Sequence, residues 1–407
     1  MNRPSPFGEV SIETFLQRYW QREPLMVRGA IAATEHTPPG RDALIAAAIE
    51  GAPARLVVVP GREQVWSVHR QPFRREDFER LPATGWTLLV QETDRLFDGC
   101  RRLQERFRFI PNWRTDDVMT SYAADGAGVG PHVDRYDVVL YQAAGRRRWR
   151  IESVRRQNPA LRNDTALPLL EQFAPDREWI LEPGDLLYLP AGIPHDGIAL
   201  GESITCSVGF RTPDLRELVS GFVRELSPAD LSRISAALGS GLEAGSDADS
   251  GTGEQRTRGD SRPGEISGED RAELRATMRR VFADDAALDR WIARFVTQPR
   301  RGLRAPDRRV RHVDELRRLL DDGQRLQRSA TAHFSWYEDD AGNTQLFVGG
   351  ERYELGATGR ATAELLCGSR PLEGDRLAPL LTDALGTFVL LDLIARGYLR
   401  AVAPSGD

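Results

Sequence analysis

Three side chains in this sequence have the types and spacing to share one metal ion. His132 and Asp134 stand two residues apart in GPHVDRYDVVLYQ. On a strand, side chains at i and i+2 leave the same face, so one imidazole and one carboxylate converge. His195 ends the later run EPGDLLYLPAGIPH, whose Pro-Gly-Asp and Pro-Ala-Gly turns can return the chain beside that pair. Two imidazoles and one carboxylate on one side of an ion form the facial triad of non-haem Fe(II) oxygenases, which leaves metal positions open for O2 and a cosubstrate. His36, His69, His312 and His333 occur singly in loop-like or amphipathic segments and read as surface or packing residues.

Such a site needs a two-electron donor. 2-Oxoglutarate serves by chelating the metal through its keto acid while its distal carboxylate meets a cation. The run GRRRW, Gly145 to Trp149, supplies candidates. Alternation along a strand turns Arg147 inward and Arg146 and Arg148 outward, and a guanidinium grips a carboxylate through two parallel hydrogen bonds. Ser121, Tyr122, Thr205 and Ser207 are hydroxyls on neighbouring predicted strands that could complete the pocket.

The elements that must position these residues are short β-rich runs punctuated by Gly and Pro. Between Arg55 and Arg211 these include LVVV, TLLVQ, VMTSYA, DVVLYQAAG, RWRI, WILEPGDLLYLP and ITCSVGFR. Short strands joined by turns, with ligands from two of them, predict a double-sheet jelly roll of the cupin type. Ser11 to Trp20 reads as a helix capped by Ser11, with Phe15, Tyr19 and Trp20 on its apolar face. After Thr212 the period becomes helical, through Leu215, Leu218, Val219, Phe222 and Val223 and again from Leu274 to Phe295. Between these helices, Gly239 to Gly268 is rich in Gly, Ser and Asp and predicts a flexible insert. The last hundred residues contain HVDELRRLL, ATAELLC and ALGTFVLLDLIARGYLRAV as helices, with AHFSWYED and QLFVGGERYEL as a hairpin about Asp339 to Asn343. Helices plus a hairpin suggest a winged-helix-like domain.

The 407 residues predict more than one domain. A net charge of −5 argues against a surface built throughout for nucleic acid, and the C-terminal segments are not conspicuously basic, so nucleic-acid contact by the winged helix stays open beside a structural or protein-contacting role. All 55 basic residues are Arg, a bias of composition rather than of function. Cys100, Cys206 and Cys367 match no zinc or dithiol spacing, which fits a reducing cytoplasm. The N-terminus has no secretory pattern, and no run is long and apolar enough to span a membrane.

RFIPNWRTDDVMTSYA, GVGPHVDRYDVVLYQAAGRRRWRI and PGDLLYLPAGIPHDG together resemble the signatures of the JmjC-type ribosomal oxygenases, in particular their bacterial arginine-hydroxylating branch. The resemblance implies an α+β chain: a double-stranded β-helix (JmjC/cupin jelly roll) with N-terminal helices over 1–211, a helical dimerisation region over 212–297 containing the insert 239–268, and a winged-helix-like domain over 298–407. It implies Fe(II), with 2-oxoglutarate and O2 as cosubstrates, and β-hydroxylation of an arginine in a large-subunit ribosomal protein by a cytoplasmic homodimer. On its pattern His132, Asp134 and His195 are the metal and catalytic positions, and Arg147 and Ser121 bind the cosubstrate. Relatives that hydroxylate histidine carry Lys at the position of Arg147, so the Arg favours the arginine branch. A guanidinium substrate wants an acid at the rim, and Asp125 is the candidate. Histidine hydroxylation, small-molecule oxidation and demethylation remain alternatives of the same chemistry, and a non-catalytic cupin-like binding protein is the alternative outside it.

Overall fold

Strand alternation sorts the first part of the chain into two faces. Along the strand Pro194–Phe210, Ile204, Cys206, Val208 and Phe210 join one large apolar cluster, while Ser203, Thr205 and Ser207 occupy the opposite face. The strand Asp137–Ile151 does the same: Val139, Tyr141 and Ala143 enter that cluster, and Val138 and Leu140 join Trp149 and Ile151 in a second one. Each strand therefore buries an apolar back against the N-terminal segments and turns its other face into a barrel.

The computed structural model describes residues 5–32, 37–59, 66–211, 213–226, 228, 232, 268–299, 310–329, 332–368 and 372–403. His36 and the insert 239–268, apart from Gly268, lie outside the described residues. The chain divides into two compact units, one of Met1–Thr212 with Arg301–Pro306 and Gln327–Thr331, the other of Pro213–Arg300, Asp307–Leu326 and Ala332–Asp407.

The first unit holds β1 (Leu25–Val27), β2 (Ala54–Val58), β3 (Ser67–Arg70), β4 (Trp86–Val90), β5 (Thr115–Ala123), β6 (His132–Val133), β7 (Asp137–Ile151), β8 (Arg177–Leu181), β9 (Leu186–Leu189) and β10 (Pro194–Phe210). Their order is β1-β9-β7-β10-β5-β4-β2-β3, with β6 on β10 and β8 on β7. These strands pair antiparallel. β7 pairs β9 with its first half and β8 with its second, so one strand serves both parts of the roll. The two runs expected before and after GRRRW are thus a single strand. It bends at Gly145, whose φ is +63° and where a Cβ would collide with the Glu202 carbonyl oxygen, so only glycine fits. The Pro-Gly-Asp turn between β8 and β9 is braced by Asp185, whose carboxylate accepts the amides of Gly29 and Glu182 at 2.9 Å and pairs with Arg28 at 2.6 Å.

The N-terminal helix departs from expectation. Ser11 does cap it, accepting the Thr14 amide at 3.0 Å, but α-helix ends at Thr14 and Phe15–Tyr19 form a π-turn. Residues five apart diverge on an α-helix; the wider turn, closed by Trp20 N–H to Phe15 C=O at 2.8 Å, lets Phe15 and Trp20 both pack on Tyr188.

In the second unit the helices Leu215–Glu225, Gly268–Val281 and Asp285–Thr297 precede Val313–Asp321, Arg360–Gly368, Gly374–Thr382 and Ala384–Ala395. Two refinements follow from glycines. Gly349 and Gly350 split QLFVGGERYEL, giving a three-stranded antiparallel sheet of Phe334–Glu338, Thr344–Val348 and Glu351–Gly356 rather than a lone hairpin. Gly397, at φ +77°, ends the last helix, so Leu399–Val402 is a strand where a helix was expected.

Candidate functional site

β6 and β10 pair so that His132 lies opposite His195 and Val133 opposite Pro194. This register, set by the short β6, brings the two imidazoles to 4.2 Å between ring centres. Asp134 follows β6 directly, with its backbone carbonyl accepting the Gly192 amide at 2.9 Å, and its Oδ2 lies 3.9 Å from His132 Nε2 and 3.6 Å from His195 Nε2. Among the described residues this is the one group of three or more His, Cys, Asp or Glu side chains placed to share an ion, with all ligand atoms within 4.8 Å of one another.

The ring orientations suit a cation. His132 Nδ1 donates to Gly130 C=O at 2.8 Å and His195 Nδ1 to Ile193 C=O at 2.9 Å. A carbonyl only accepts, so each Nδ1 carries the proton and each Nε2 turns a lone pair toward Asp134. Burial, and then the neighbouring His132, lower the pKa of His195 to about 4, so this ring is neutral at physiological pH, the form a metal binds. His195 is buried, whereas His132 and Asp134 are partly open. The donor set therefore fits a divalent metal on structural grounds.

Further along β7, Arg146 is exposed, Arg148 half-buried and Arg147 buried, the alternation that a strand imposes. The Arg147 guanidinium donates to Ser121 Oγ at 3.1 Å, and through Nε and its other terminal nitrogen to Ser203 Oγ at 3.3 and 3.1 Å. Among the described residues its hydrogen-bond partners are hydroxyls, with no carboxylate among them. Burial lowers its pKa to about 10, which still leaves it charged at neutral pH. A buried cation without an anion is costly, and a bound carboxylate would relieve that cost.

The remaining candidates separate. Thr205 donates to Gln142 Oε1 at 3.0 Å, and Ser207 is buried on the same strand face. Tyr122, next to Ser121, turns to the apolar back, where it packs on Trp86 and donates to Glu202 at 2.7 Å. Asp125 is exposed, and its carboxylate accepts the Gly201 amide at 2.7 Å, bracing a bend of β10. His69 is exposed, His312 caps the helix Val313–Asp321, and His333 is buried in the second unit.

Sequence reasoning passed over Ser203, although it continues the alternation of Thr205 and Ser207. It also missed Trp149, two residues from Arg147 on the same face, and the pair Tyr136 and Asp117. Tyr136 is 42% exposed, yet its hydroxyl is pushed well up, first by burial and then by the charges of Asp134 and Asp117. A Cβ at Gly209 would lie at ordinary contact distance, 3.7 to 3.9 Å, from the Asp116 Cβ, the Asp117 carbonyl oxygen and the Tyr136 ring, so these residues pack around Gly209.

Residues 102–218 match the JmjC domain model and residues 274–400 the ROXA-like winged helix model. The ribosomal protein uL16 3-hydroxylase of Escherichia coli is 31% identical over 390 residues, covering 94% of this chain and 96% of that protein. An X-ray structure of E. coli ycfD superposes with a TM-score of 0.81 at 29% identity, covering 97% of this chain and 99% of that one. The structure of the ribosomal oxygenase YcfD from the same organism in complex with cobalt and 2-oxoglutarate gives 0.76 at 29% identity, over 96% and 97% of the two chains. Extent and identity together, with a JmjC jelly roll followed by helices and a winged helix, make this chain a member of the JmjC-domain ribosomal oxygenase family.

Proposed function

We propose that this protein is an Fe(II)- and 2-oxoglutarate-dependent oxygenase that hydroxylates an arginine side chain, at its β-carbon, in a large-subunit ribosomal protein. The observation that carries the cosubstrate is Arg147: a guanidinium buried and held, among the described residues, by the hydroxyls of Ser121 and Ser203 rather than by a carboxylate, on β7, whose last residue lies opposite His195. His132 and His195 would hold the metal through Nε2 and Asp134 through its carboxylate. When bound, Fe(II) with 2-oxoglutarate and O2 supplies the oxidising chemistry that replaces a C–H bond by C–OH, with succinate and CO2 as coproducts. The chain itself orients the groups. The Nδ1 bonds lock both imidazoles, Arg147 takes the distal carboxylate, and the apolar lining of Val138, Leu140, Trp149, Ile151 and Leu187 excludes water from the barrel.

For the substrate, the partly exposed ring of Tyr136, near the charge of Asp134, offers an aromatic plane beside an acid, which suits a guanidinium, whereas the Asp117 carboxylate is engaged by the Glu92 amide at 2.8 Å. Asp125, with its carboxylate occupied by Gly201, supports that role less well. The family relative that acts on uL16 supports a ribosomal protein as substrate. The decisive experiment incubates the protein with Fe(II), 2-oxoglutarate and large-subunit ribosomal proteins under air. Mass spectrometry should find one added oxygen on an arginine; an added oxygen on histidine would move the chain to the histidine-hydroxylating branch, and unmodified peptides would refute the proposal.

The division into 1–211, 212–297 and 298–407 belongs to the same proposal, as do a cytoplasmic location and a homodimer. No helix among the described residues is long and apolar enough to cross a membrane. Leu215, Val219 and Val223, spaced by four on the helix Leu215–Glu225, are 74, 42 and 47% exposed, an apolar stripe suited to a second copy. Light scattering should give a dimer mass, and Val219→Asp should shift it toward the monomer.

A further inference from the structure

Trp149 sits between the two halves of the site, and neither half accounts for it. Its place on β7 two residues after Arg147 puts it on the inner face, opposite Gly197 of β10. The Arg147 Cζ lies 5.9 Å from the indole centroid, and the His195 ring 6.0 Å from it. A Cβ on Gly197 would fall 2.7 to 2.9 Å from the indole's Cη2, Cζ3 and Cε3, so β10 omits a side chain at the point where the ring must lie. The residue is 5% exposed, and its Nε1–H is buried with no acceptor among the described residues. Buried donors are rarely left without a partner, and one lining a ligand space points to the ligand as the acceptor.

We propose that Trp149 is a cosubstrate-positioning residue: its indole walls the space between the triad and Arg147, sets the length of 2-oxo diacid that can reach both, and donates Nε1–H to the bound diacid. The inference rests on the cosubstrate assignment above and adds to it the residue that decides chain length. A diacid one methylene longer would have to buckle against the ring to put its distal carboxylate on Arg147. A diacid one methylene shorter would leave one end unmatched. The Arg147 guanidinium over the ring also couples the two, since moving the indole moves a neighbour of the cation.

The test uses the full chain loaded anaerobically with Co(II), so that binding is read without turnover. Calorimetry measures 2-oxoglutarate and 2-oxoadipate on the wild type, Trp149→Phe and Trp149→Leu. The wild type should prefer 2-oxoglutarate by at least about tenfold, the usual worth of one misfitting methylene. Trp149→Phe keeps an aromatic wall but loses the donor, and should bind 2-oxoglutarate about tenfold more weakly while retaining its preference. Trp149→Leu opens the wall and should bring the two affinities close together. Unchanged binding by Trp149→Phe together with unchanged preference in Trp149→Leu overturns the inference. If Trp149→Leu fails to fold, Trp149→Phe decides alone, unchanged binding overturning the role. A wild type that takes up Co(II) but no 2-oxoglutarate overturns the cosubstrate assignment and this inference with it, an outcome distinct from insensitive variants of a binding wild type.

Discussion

The triad and the Arg147 subsite share one barrel interior but solve opposite problems. His132, Asp134 and His195 form a set of acceptors around a point, with both imidazole protons directed into backbone carbonyls. Arg147 with Ser121 and Ser203 forms a set around a buried cation. The first set suits a positive partner and the second a negative one, so the two call for ligands of opposite charge. Their exposure differs too: His132 and Asp134 are partly open, where substrate and O2 must arrive, whereas Arg147 is 4% exposed. Binding a cation at one end and an anion at the other should therefore stabilise the fold as well as prepare it for reaction.

The comparison breaks most sharply at the triad. His132→Ala should abolish turnover and remove the visible charge-transfer band that Fe(II) and 2-oxoglutarate give anaerobically; a variant that keeps the band would take His132 out of the metal set. Next is Arg147→Met, which should weaken 2-oxoglutarate by roughly three orders of magnitude, as expected for loss of one partner of a buried charged pair. The same change should leave the ligand-free protein as stable or about 1–4 kcal/mol more stable, because an unneutralised buried cation is gone. Calorimetry and thermal unfolding on the same samples would check the opposite signs. A large loss of stability without ligand would mean that Arg147 is structural.

A buried ionisable group on the back of the same sheet sharpens the contrast. Asp94 accepts the Val118 amide at 2.9 Å, and burial raises its pKa from 3.8 to about 7. The native state thus holds a proton that the unfolded chain has released, so its contribution to stability is full below pH 3.8 and is lost as pH rises through about 7. Between these limits stability should fall by up to roughly 1.4 kcal/mol per pH unit from this group. Asp94→Asn should flatten that slope in denaturant titrations at several pH values and leave 2-oxoglutarate affinity unaltered; changed affinity would tie the back of the sheet to the site. The smallest effect is expected for Ser203→Ala, a loss of about 1 kcal/mol, or several-fold in 2-oxoglutarate affinity. An effect as large as that of Arg147→Met would show that the hydroxyl, not the guanidinium, dominates.

The three residues that the structure brings together as a possible metal set were all legible, because their signals are local. His132 and Asp134 lie two apart, and His195 ends a run whose turns announce a return of the chain. The same alternation marked Arg147 among its neighbours and, continued one step, would have marked Ser203 and Trp149. Asp125 and Tyr122 were harder. An acid in a Gly-rich loop carries no sign of whether a distant amide will claim it, and here the Gly201 amide does. Tyr122 adjoins Ser121 on a strand, and the alternation that sends the two to opposite faces was not applied when both were read as pocket hydroxyls; Tyr122 packs on Trp86 instead. Helix ends were misjudged where one glycine, Gly397, outweighed a long apolar run, and where aromatic packing on Tyr188 widened a helix into a π-turn.

The sequence by itself determined which imidazoles and carboxylate could share an ion, the inward turn of Arg147 and the jelly-roll alternation, because these depend on spacings of one or two residues along a strand. Tertiary structure alone decided that β6 pairs β10 in the register that sets His132 against His195. It also decided that Ser121 and Ser203, from two other strands, are the partners of the guanidinium, and that an indole stands between cation and triad. Those facts depend on strand register and burial, to which residues far apart in the chain contribute together and which no local pattern encodes.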